Sequence, residues 1–579
     1  MPTQIDYTTQ IKNKPTIPTY PTLVSSDYEW TFTPPSNLAL VSGVEGTATF
    51  TALPSGLNQT DSPNKHYIGV VYSTSSHTSF LVTAVNDSTK VVKFMPTVSI
   101  AAGNWTLRSA SGGVQEAIYA NVGDAIFIPA GDLAYDALKV WINRANITIR
   151  GAGKKATTFV VNNTAANGFW SDTYGYEVHD IRFEPINSGT QTAGAMISLI
   201  GTTPKYQGEA DLTVTGCEFS YMYDGVVYDC PGGFIRYLNN MVRNNQRYGV
   251  YHKSSSAGAI QICDNYMDGE NSDGLIWIEQ VTSGVIIADN WMQAAKSHIV
   301  INSTNTAAAF GVYEVVITGN ILDNDRLNTV ASVIVNGSGV ELTSSNSVQI
   351  VANYFSSVGF CVLTQNAYNV FIKANKMFAR YTNPIIAIAG TSANTITISD
   401  NELWAGPSYV ITYAIQLSAT TINNCSIMSN KASASSSCTS MIGIASTVTD
   451  LHIIGNVCGP NFVKLITDVS TVGAGEVVCK YNSAKFQPYV GATHTGVITV
   501  PLVDQSQMIG VAASTSTVTS ITGVTARAGN EVTFITAAAQ VWSTSAALDN
   551  RIGKSYTSPA AGDVITFHKF SDNLWYPTK

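Results

Sequence analysis

Ile260-Gln-Ile-Cys-Asp-Asn265-Tyr-Met is answered downstream by Val285-Ile-Ile-Ala-Asp-Asn290-Trp-Met, Val315-Val-Ile-Thr-Gly-Asn320-Ile-Leu and Val370-Phe-Ile-Lys-Ala-Asn375-Lys-Met. Each copy runs from a short apolar stretch through a polar step into an asparagine. The full series is Asn240, Asn265, Asn290, Asn320, Asn353, Asn375, Asn401, Asn430, Asn456 and Asn482, spaced by 25, 25, 30, 33, 22, 26, 29, 26 and 26 residues. Self-similarity at a period of roughly 20–50 residues marks a solenoid, whose units bury their apolar faces only by stacking. Each unit reads as strand, Asn-containing bend, apolar pair, polar loop, then often Gly and another strand, as in Gly249-Val-Tyr and Gly274-Leu-Ile. The pattern predicts the coil of a parallel β-helix.

Asparagine suits such a bend because it tolerates left-handed backbone and its amide bonds to nearby backbone groups. With neighbouring strands about 4.8 Å apart, stacked Asn side chains are expected to form a ladder. Hairpin turns in unrelated strands would not recur at this spacing within one apolar frame.

Composition agrees with an all-β chain. Of 579 residues only 12% are charged, with 45 Gly, unlike chains built from helix formers. A solenoid also accounts for the length, since it grows by addition and not by enlarging one core. The net charge of −8 and the absence of a Lys/Arg run argue against nucleic acid as a partner. No apolar stretch reaches about 18 residues, so no membrane span is expected, and the start Met1-Pro-Thr-Gln-Ile-Asp lacks the features of a secretion signal. The eight cysteines (217, 230, 263, 361, 425, 438, 458, 479) form no CxxC pair. They read as free thiols, with Cys217, Cys263, Cys361 and Cys425 as small apolar wall residues. No metal-ligand set or cofactor motif is present. Gly151-Ala-Gly-Lys154-Lys-Ala-Thr157 lacks the GxxxxGK[ST] spacing and no helix pattern follows it.

Three regions are expected. Residues 1–110 combine a proline-marked lead-in (Pro15, Pro18, Pro21, Pro34, Pro35) with a small β-domain around Thr47-Ala-Thr-Phe-Thr, Ile68-Gly-Val-Val-Tyr and Phe80-Leu-Val-Thr-Ala-Val. Residues 111–490 form the β-helix. Its open end is capped by a short helix and strand within 114–131, since an uncapped end exposes core and sheet edge. Asn146-Ile-Thr-Ile-Arg-Gly-Ala-Gly153 and Val178-His-Asp-Ile-Arg-Phe183 are its first coils. Residues 491–579 read as a β-sandwich-like domain of alternating strands.

Three features resemble bacteriophage tailspike depolymerases with a pectate-lyase-like right-handed parallel β-helix. They are Gly123-Asp-Ala-Ile-Phe-Ile-Pro-Ala-Gly131 followed by Ile147-Thr-Ile-Arg-Gly-Ala-Gly-Lys154, the Asn-ended coil, and a terminal pattern. The last runs Ala528-Gly-Asn-Glu-Val-Thr-Phe534, Ala561-Gly-Asp-Val-Ile-Thr-Phe567 and Asn573-Leu-Trp-Tyr576. The resemblance covers roughly residues 114–579. It implies a homotrimer in the virion tail, joined to other tail proteins, that binds and cleaves bacterial surface polysaccharide (capsule or O-antigen). The last domain would serve trimerisation or carbohydrate binding.

Catalytic groups of a β-helix must face outward, because inward positions fill the core. Three residues past successive asparagines lie Arg243, Asp268, Gln293 and Asp323; five past lie Asn245, Glu270, Ala295 and Asp325. Asp268, Glu270 and Asp273 crowd one loop, and Asp323 lies two coils on, roughly 9–10 Å away. Carboxyl groups about 5 Å apart suit retaining glycosidases, whereas about 6.5–9.5 Å suits inverting ones. These four acids are the candidate catalytic residues, although Asp268-Gly-Glu-Asn-Ser-Asp-Gly274 also reads as a solvated turn. Asp264 and Asp289, just before the Asn in consecutive coils, read as turn residues.

Candidate substrate-binding residues are Arg243, Arg247, Tyr251, His252 and Lys253 in one coil, Trp277 and Glu279 in the next, and Trp291, Lys296 and His298 in the third. Aromatic faces with polar groups around them suit sugars, and cations suit acidic ones. His252 and Trp277 both stand three places after a Gly, where other coils are apolar, so core filling is the competing reading. A polysaccharide lyase using Lys253, Arg247 or His252, and a non-catalytic glycan-binding receptor protein, are the alternatives to a glycosidase.

Overall fold

The computed structural model describes residues 38–49, 68–72, 79–86, 88–94, 99–103, 105–109, 111, 114, 118, 124–136, 139–142, 145–201, 210–230, 233–253, 259–270, 272–279, 284–302, 314–324, 331–336, 347–357, 359–380, 382–406, 410–459, 461–468, 477–480, 482, 489–490, 497–500, 508–511, 520–523, 531–536, 540–542, 556–558, 564–569 and 574–578. The proline-marked lead-in and Asp325 lie outside them. The chain divides into two compact units, Met1–Met241 and Val242–Lys579. Each contains coils of a parallel β-solenoid with three walls.

In the first unit the first wall stacks Ala125–Ile128, Ile147–Gly151, Tyr176–His179, Leu212–Thr215 and Ile235–Leu238 in parallel register. Both expected first coils are therefore present. The second wall stacks Gly131–Tyr135, Thr157–Val161, Arg182–Pro185 and Glu218–Ser220. The third stacks Val140–Trp141, Phe169–Ser171, Ala195–Ile200 and Asp224–Asp229. Gly151 lies in a strand, not in a phosphate-binding loop. Val114 and Ile118 have helical backbone and are buried, four places apart as on one helix face. Ahead of them, Gly46–Thr49, Val91–Phe94, Ser79–Asn86, Ile68–Tyr72 and Trp105–Ser109 form an antiparallel sheet in that order.

In the second unit the first wall runs through Ile260–Cys263, Val285–Ala288, Val315–Thr318 and Val348–Val351 onward to Val477–Lys480. The second wall begins one residue after each Asn, with Tyr266–Asp268, Trp291–Gln293, Ile321–Asn324 and Tyr354–Ser357. The third wall holds Tyr248–His252, Gly274–Glu279, Ile299–Asn302 and Ala331–Asn336. Alternation sorts the side chains: Met267, Met292, Leu322, Phe355 and Met377 point into the core, while their strand neighbours point out. Further on, Tyr489–Val490, Met508–Val511, Glu531–Thr536, Val564–Lys569 and Trp575–Thr578 form a sheet, parallel at one side and antiparallel at the other. Trp575 is buried there and donates its indole N–H to the Ile521 carbonyl at 3.1 Å.

The asparagines form the expected ladder. Asn290 shows the pattern: its Oδ1 accepts from Asn265 N–H at 3.0 Å and Asn265 Nδ2 at 2.8 Å. Its Nδ2 donates to Ile262 O at 2.8 Å and Asn320 Oδ1 at 2.9 Å. Both lone pairs and both amide hydrogens are used, as a buried Asn requires. Asn-to-Asn links of this kind continue through Asn353, Asn375, Asn401, Asn430 and Asn456 to Asn482. The left-handed residue is, however, the one before the Asn: φ is 59° at Asp264, 55° at Asp289, 57° at Ala352 and 55° at Ala374. The Asn supplies the hydrogen bonds and its predecessor supplies the bend. Asp264 and Asp289 are thus turn residues, as their repetition suggests.

All eight cysteines are free thiols. Burial pushes the Cys425 thiol up to about 12, which leaves it a small inert apolar group.

Candidate functional site

The second wall of the second unit carries two outward columns. One contains Asp268, Gln293 and Asp323 in consecutive register, continuing to Ser356 and Phe378. Asn244 N–H donates to the Asp268 carbonyl just as Gly269 N–H does to Gln293 and Ala294 N–H to Asp323. This places Arg243 beside Asp268 at the head of the column. The count of three residues past Asn therefore holds, because the strand follows the corner at once and leaves no room for insertion. Two steps of about 4.8 Å separate Asp268 from Asp323. That is well beyond retaining spacing and at the upper edge of the inverting range, about 6.5–9.5 Å.

Hydrogen bonds fix this column. Gln293 Nε2, midway between the acids, donates to Asp268 Oδ2 at 3.2 Å and to Tyr266 Oη at 2.9 Å. Arg380 forms an ion pair with Asp323 Oδ1 at 3.2 Å. Burial, and then the Asp268 charge, raise the Tyr266 phenol, while Arg243 and Gln293 oppose that shift. Tyr266 accordingly stays a neutral hydroxyl.

The neighbouring column is apolar. Tyr266, Trp291, Ile321 and Tyr354 succeed one another in register. Trp291 is exposed and meets Tyr266 edge to face at 5.9 Å. Of these only Trp291 belongs to the expected binding set. Tyr266, Ile321 and Tyr354, with Gln293 and Arg380, are additions, and the first three are readable as the residue directly after each Asn.

The loop acids are arranged differently. The column expected five residues past Asn does not form. Tyr248 is level with Gly274, and Leu275 N–H bonds the Ser297 carbonyl, so Gly269–Gly274 is longer than the loops beside it. Glu270 is exposed on this bulge, whereas Asn245 and Ala295 are buried. Glu270 N–H is held by Asn244 Oδ1 at 3.1 Å. Asp273 is engaged by Lys296 at 2.5 Å, both half-exposed.

On the third wall, Tyr248, Tyr251 and Trp277 cluster at ring separations of 5.0 and 5.2 Å. Arg247 lies over Tyr248 and Tyr251 at 4.8 and 5.3 Å. Glu279 accepts from Trp277 Nε1 at 2.8 Å and from Tyr251 Oη at 3.1 Å. Burial raises the Tyr251 phenol well above its ordinary value, with Glu279 adding to it. Arg247, Tyr251, Trp277 and Glu279 are thus brought together, and Lys253 is exposed at the strand end.

His252 and His298 require correction as ligand-facing residues, because both are fully buried in the core. Burial pushes His252 down to about 4 against the Glu279 carbonyl, and His298 to about 3 against the Asp323 carbonyl. The count from Gly misaligns His252 with Trp277: Trp277 is level with Tyr251, outside, and His252 with Ile278, inside.

Among the described residues, no group of three or more His, Cys, Asp or Glu is placed to hold a metal ion, and no helix is long and apolar enough to cross a membrane. The fold is a parallel β-solenoid whose second wall presents Asp268 and Asp323, with Gln293 between them, beside the column of Tyr266, Trp291, Ile321 and Tyr354. No protein-family model matches the chain, and no curated protein matches it. Among solved structures it is similar to tailspike protein 3 of bacteriophage CBA120, at 9% identity and a TM-score of 0.43, over 79% of this chain and 86% of that one. It is also similar to the A-module of mannuronan C-5 epimerase AlgE4 from Azotobacter vinelandii (15% identity, TM-score 0.40, covering 63% and 96%). The catalytic domain of a GH87 α-1,3-glucanase in complex with nigerose is a third (11%, 0.40, covering 77% and 92%). At these identities and scores the likeness concerns how the chain winds and gives no residue a role.

Proposed function

We propose that this protein is an endo-acting glycoside hydrolase of bacterial surface polysaccharide, capsule or O-antigen, with Asp268 and Asp323 as its carboxyl pair. The observation that carries this reading is their position in one outward column, two coils apart with Gln293 between. In an inverting hydrolysis one carboxylic acid protonates the leaving oxygen, and the other carboxylate activates water on the opposite face of the sugar. Gln293 orients Asp268 through its amide, and Arg380 holds Asp323 in place. The sugar packs on the adjacent rings. Glu270 and Asp273 lie on the bulged loop at the rim, outside this column.

The protein acts as a tailspike depolymerase: a homotrimer in the virion tail beside other tail proteins. Its β-helix entry segment, residues 123–131 with 147–154, and its terminal pattern, which resemble that family, support this part of the reading. β-Elimination is the second reading: it loses His252, which is buried in the core, and keeps the exposed Lys253 and the half-buried Arg247.

Purified protein incubated with a panel of typed capsular polysaccharides tests the reading. New reducing ends are expected without products absorbing in the ultraviolet. Asp268→Asn and Asp323→Asn should each lower the rate by about 10²–10⁴-fold while thermal unfolding is unchanged. Full activity in both variants removes this column from the chemistry, and unsaturated products decide for a lyase.

A further inference from the structure

Trp291, Ile321 and Tyr354 are 51%, 43% and 46% exposed and stand on three successive coils. Tyr266 extends the run by one coil. Outward positions of a wall ordinarily carry polar side chains. The same column obeys that rule immediately afterwards, with Lys376, Glu402 and Lys431. The core does not need these side chains, since Met267, Met292, Leu322 and Phe355 fill the inner face of the same strands. An exposed apolar run of this kind marks a binding surface, and it coincides with the coils that bear Asp268 and Asp323.

Resting on the hydrolase reading above, we propose that the glycan lies along the stacking direction over this column, with Tyr354 as a platform beyond the cleavage point. Coils repeat at about 4.8 Å, close to the length of one pyranose in an extended chain, so successive sugars meet successive coils. Each sugar ring offers a face of C–H groups to the apolar column and its hydroxyl edge to the polar one. Cleavage falls over Gln293 and Trp291, between the coils of Asp268 and Asp323. Tyr266 supports the chain at one end of the site and Ile321 and Tyr354 at the other. The Arg380–Asp323 ion pair joins coils two apart and so spans the coil of Tyr354. A site supported at both ends takes the interior of a polymer, and its affinity grows with chain length.

The test uses Asp268→Asn protein, so that ligand is not consumed. Typed capsular polysaccharides are broken by mild acid, independently of the enzyme, into size-separated fragments, and affinity is read by calorimetry. Affinity should rise with fragment length until the column is covered. Adding Tyr354→Ala should remove that gain, on the order of fivefold to tenfold for long fragments, and leave short fragments unchanged. Trp291→Ala should weaken every length. Length-independent affinity, or an equal loss at all lengths in Tyr354→Ala, overturns the proposal. So does a change of oligomeric state in Tyr354→Ala with glycan affinity intact, which makes the column a protein interface. Length-dependent binding without cleavage by the native protein keeps the track and refutes the hydrolase. Cleavage without length dependence does the reverse, and no binding by any fragment refutes both.

Discussion

The two units hold their coils in step by different means. In the first, rings stack inside the second wall: Phe159 on Phe183 at 5.7 Å and Phe183 on Phe219 at 5.5 Å, both nearly parallel. Its corner positions include Ile181 and Cys217, which bring no amide, before Asn240 on its last coil accepts from Cys217 N–H. In the second, the equivalent inner column is Met267, Met292, Leu322, Phe355 and Met377, flexible for the most part. Register there rests on the Asn corner, where directional bonds are all satisfied in only one alignment. Ring stacks allow sliding and amide ladders do not. The stricter device therefore lies in the unit that carries Asp268, Gln293 and Asp323, whose proposed chemistry depends on alignment between coils.

Breaking the ladder should have the largest effect. Asn320→Ala removes the acceptor of Asn290 N–H and Asn290 Nδ2. Two buried donors are then orphaned at about 1–3 kcal/mol each, so a loss of about 2–6 kcal/mol is expected from them, with the lost partner of the Ile287 carbonyl added to it. Hydrogen exchange should show lost protection in the coils around Asn320, and activity should fall with it. Unchanged protection there would mean that packing, not the amides, sets register. Phe183→Ala is the matching change in the first unit. It should cost about 3–5 kcal/mol through the cavity left, with protection lost around Phe159 and Phe219. Glycan cleavage at low temperature should survive it, and loss of cleavage at full protection would contradict the division of labour.

How much of this was legible depends on what sits between a residue and its Asn. Asp268 and Asp323 could be aligned by counting because the second wall starts directly after the corner. Tyr266, Ile321 and Tyr354 carry the same information one place earlier. Glu270 could not be aligned, since the loops between second and third walls differ in length and a count across them loses register. His252 and Trp277 were paired through Gly249 and Gly274, but Gly274 is level with Tyr248, and a single-residue slip exchanges inside for outside. No residue type marks the left-handed bend, because the described residue before the Asn varies among Asn, Asp, Ala, Ser and Gly.

A further expected difference between the units concerns acid. The second unit buries His252 and His298, and no described histidine of the first is buried. Their folded values, about 4 and about 3, lie below the unfolded value of 6.5. The unfolded chain therefore takes up protons first. Stability from keeping these rings neutral is fully present above pH 6.5 and declines as pH falls toward the folded values. By pH 4.5 the loss is roughly 3 kcal/mol for each ring. Urea unfolding at pH 7 and pH 4.5, followed by hydrogen exchange in each unit, should show the second unit weakening more. Carboxylates in ion pairs contribute to acid lability as well, so His298→Leu separates the two causes. It should flatten the pH dependence of the second unit by about half the histidine contribution, whatever it does to stability at pH 7. An identical slope in both proteins would assign the acid response to groups other than this histidine.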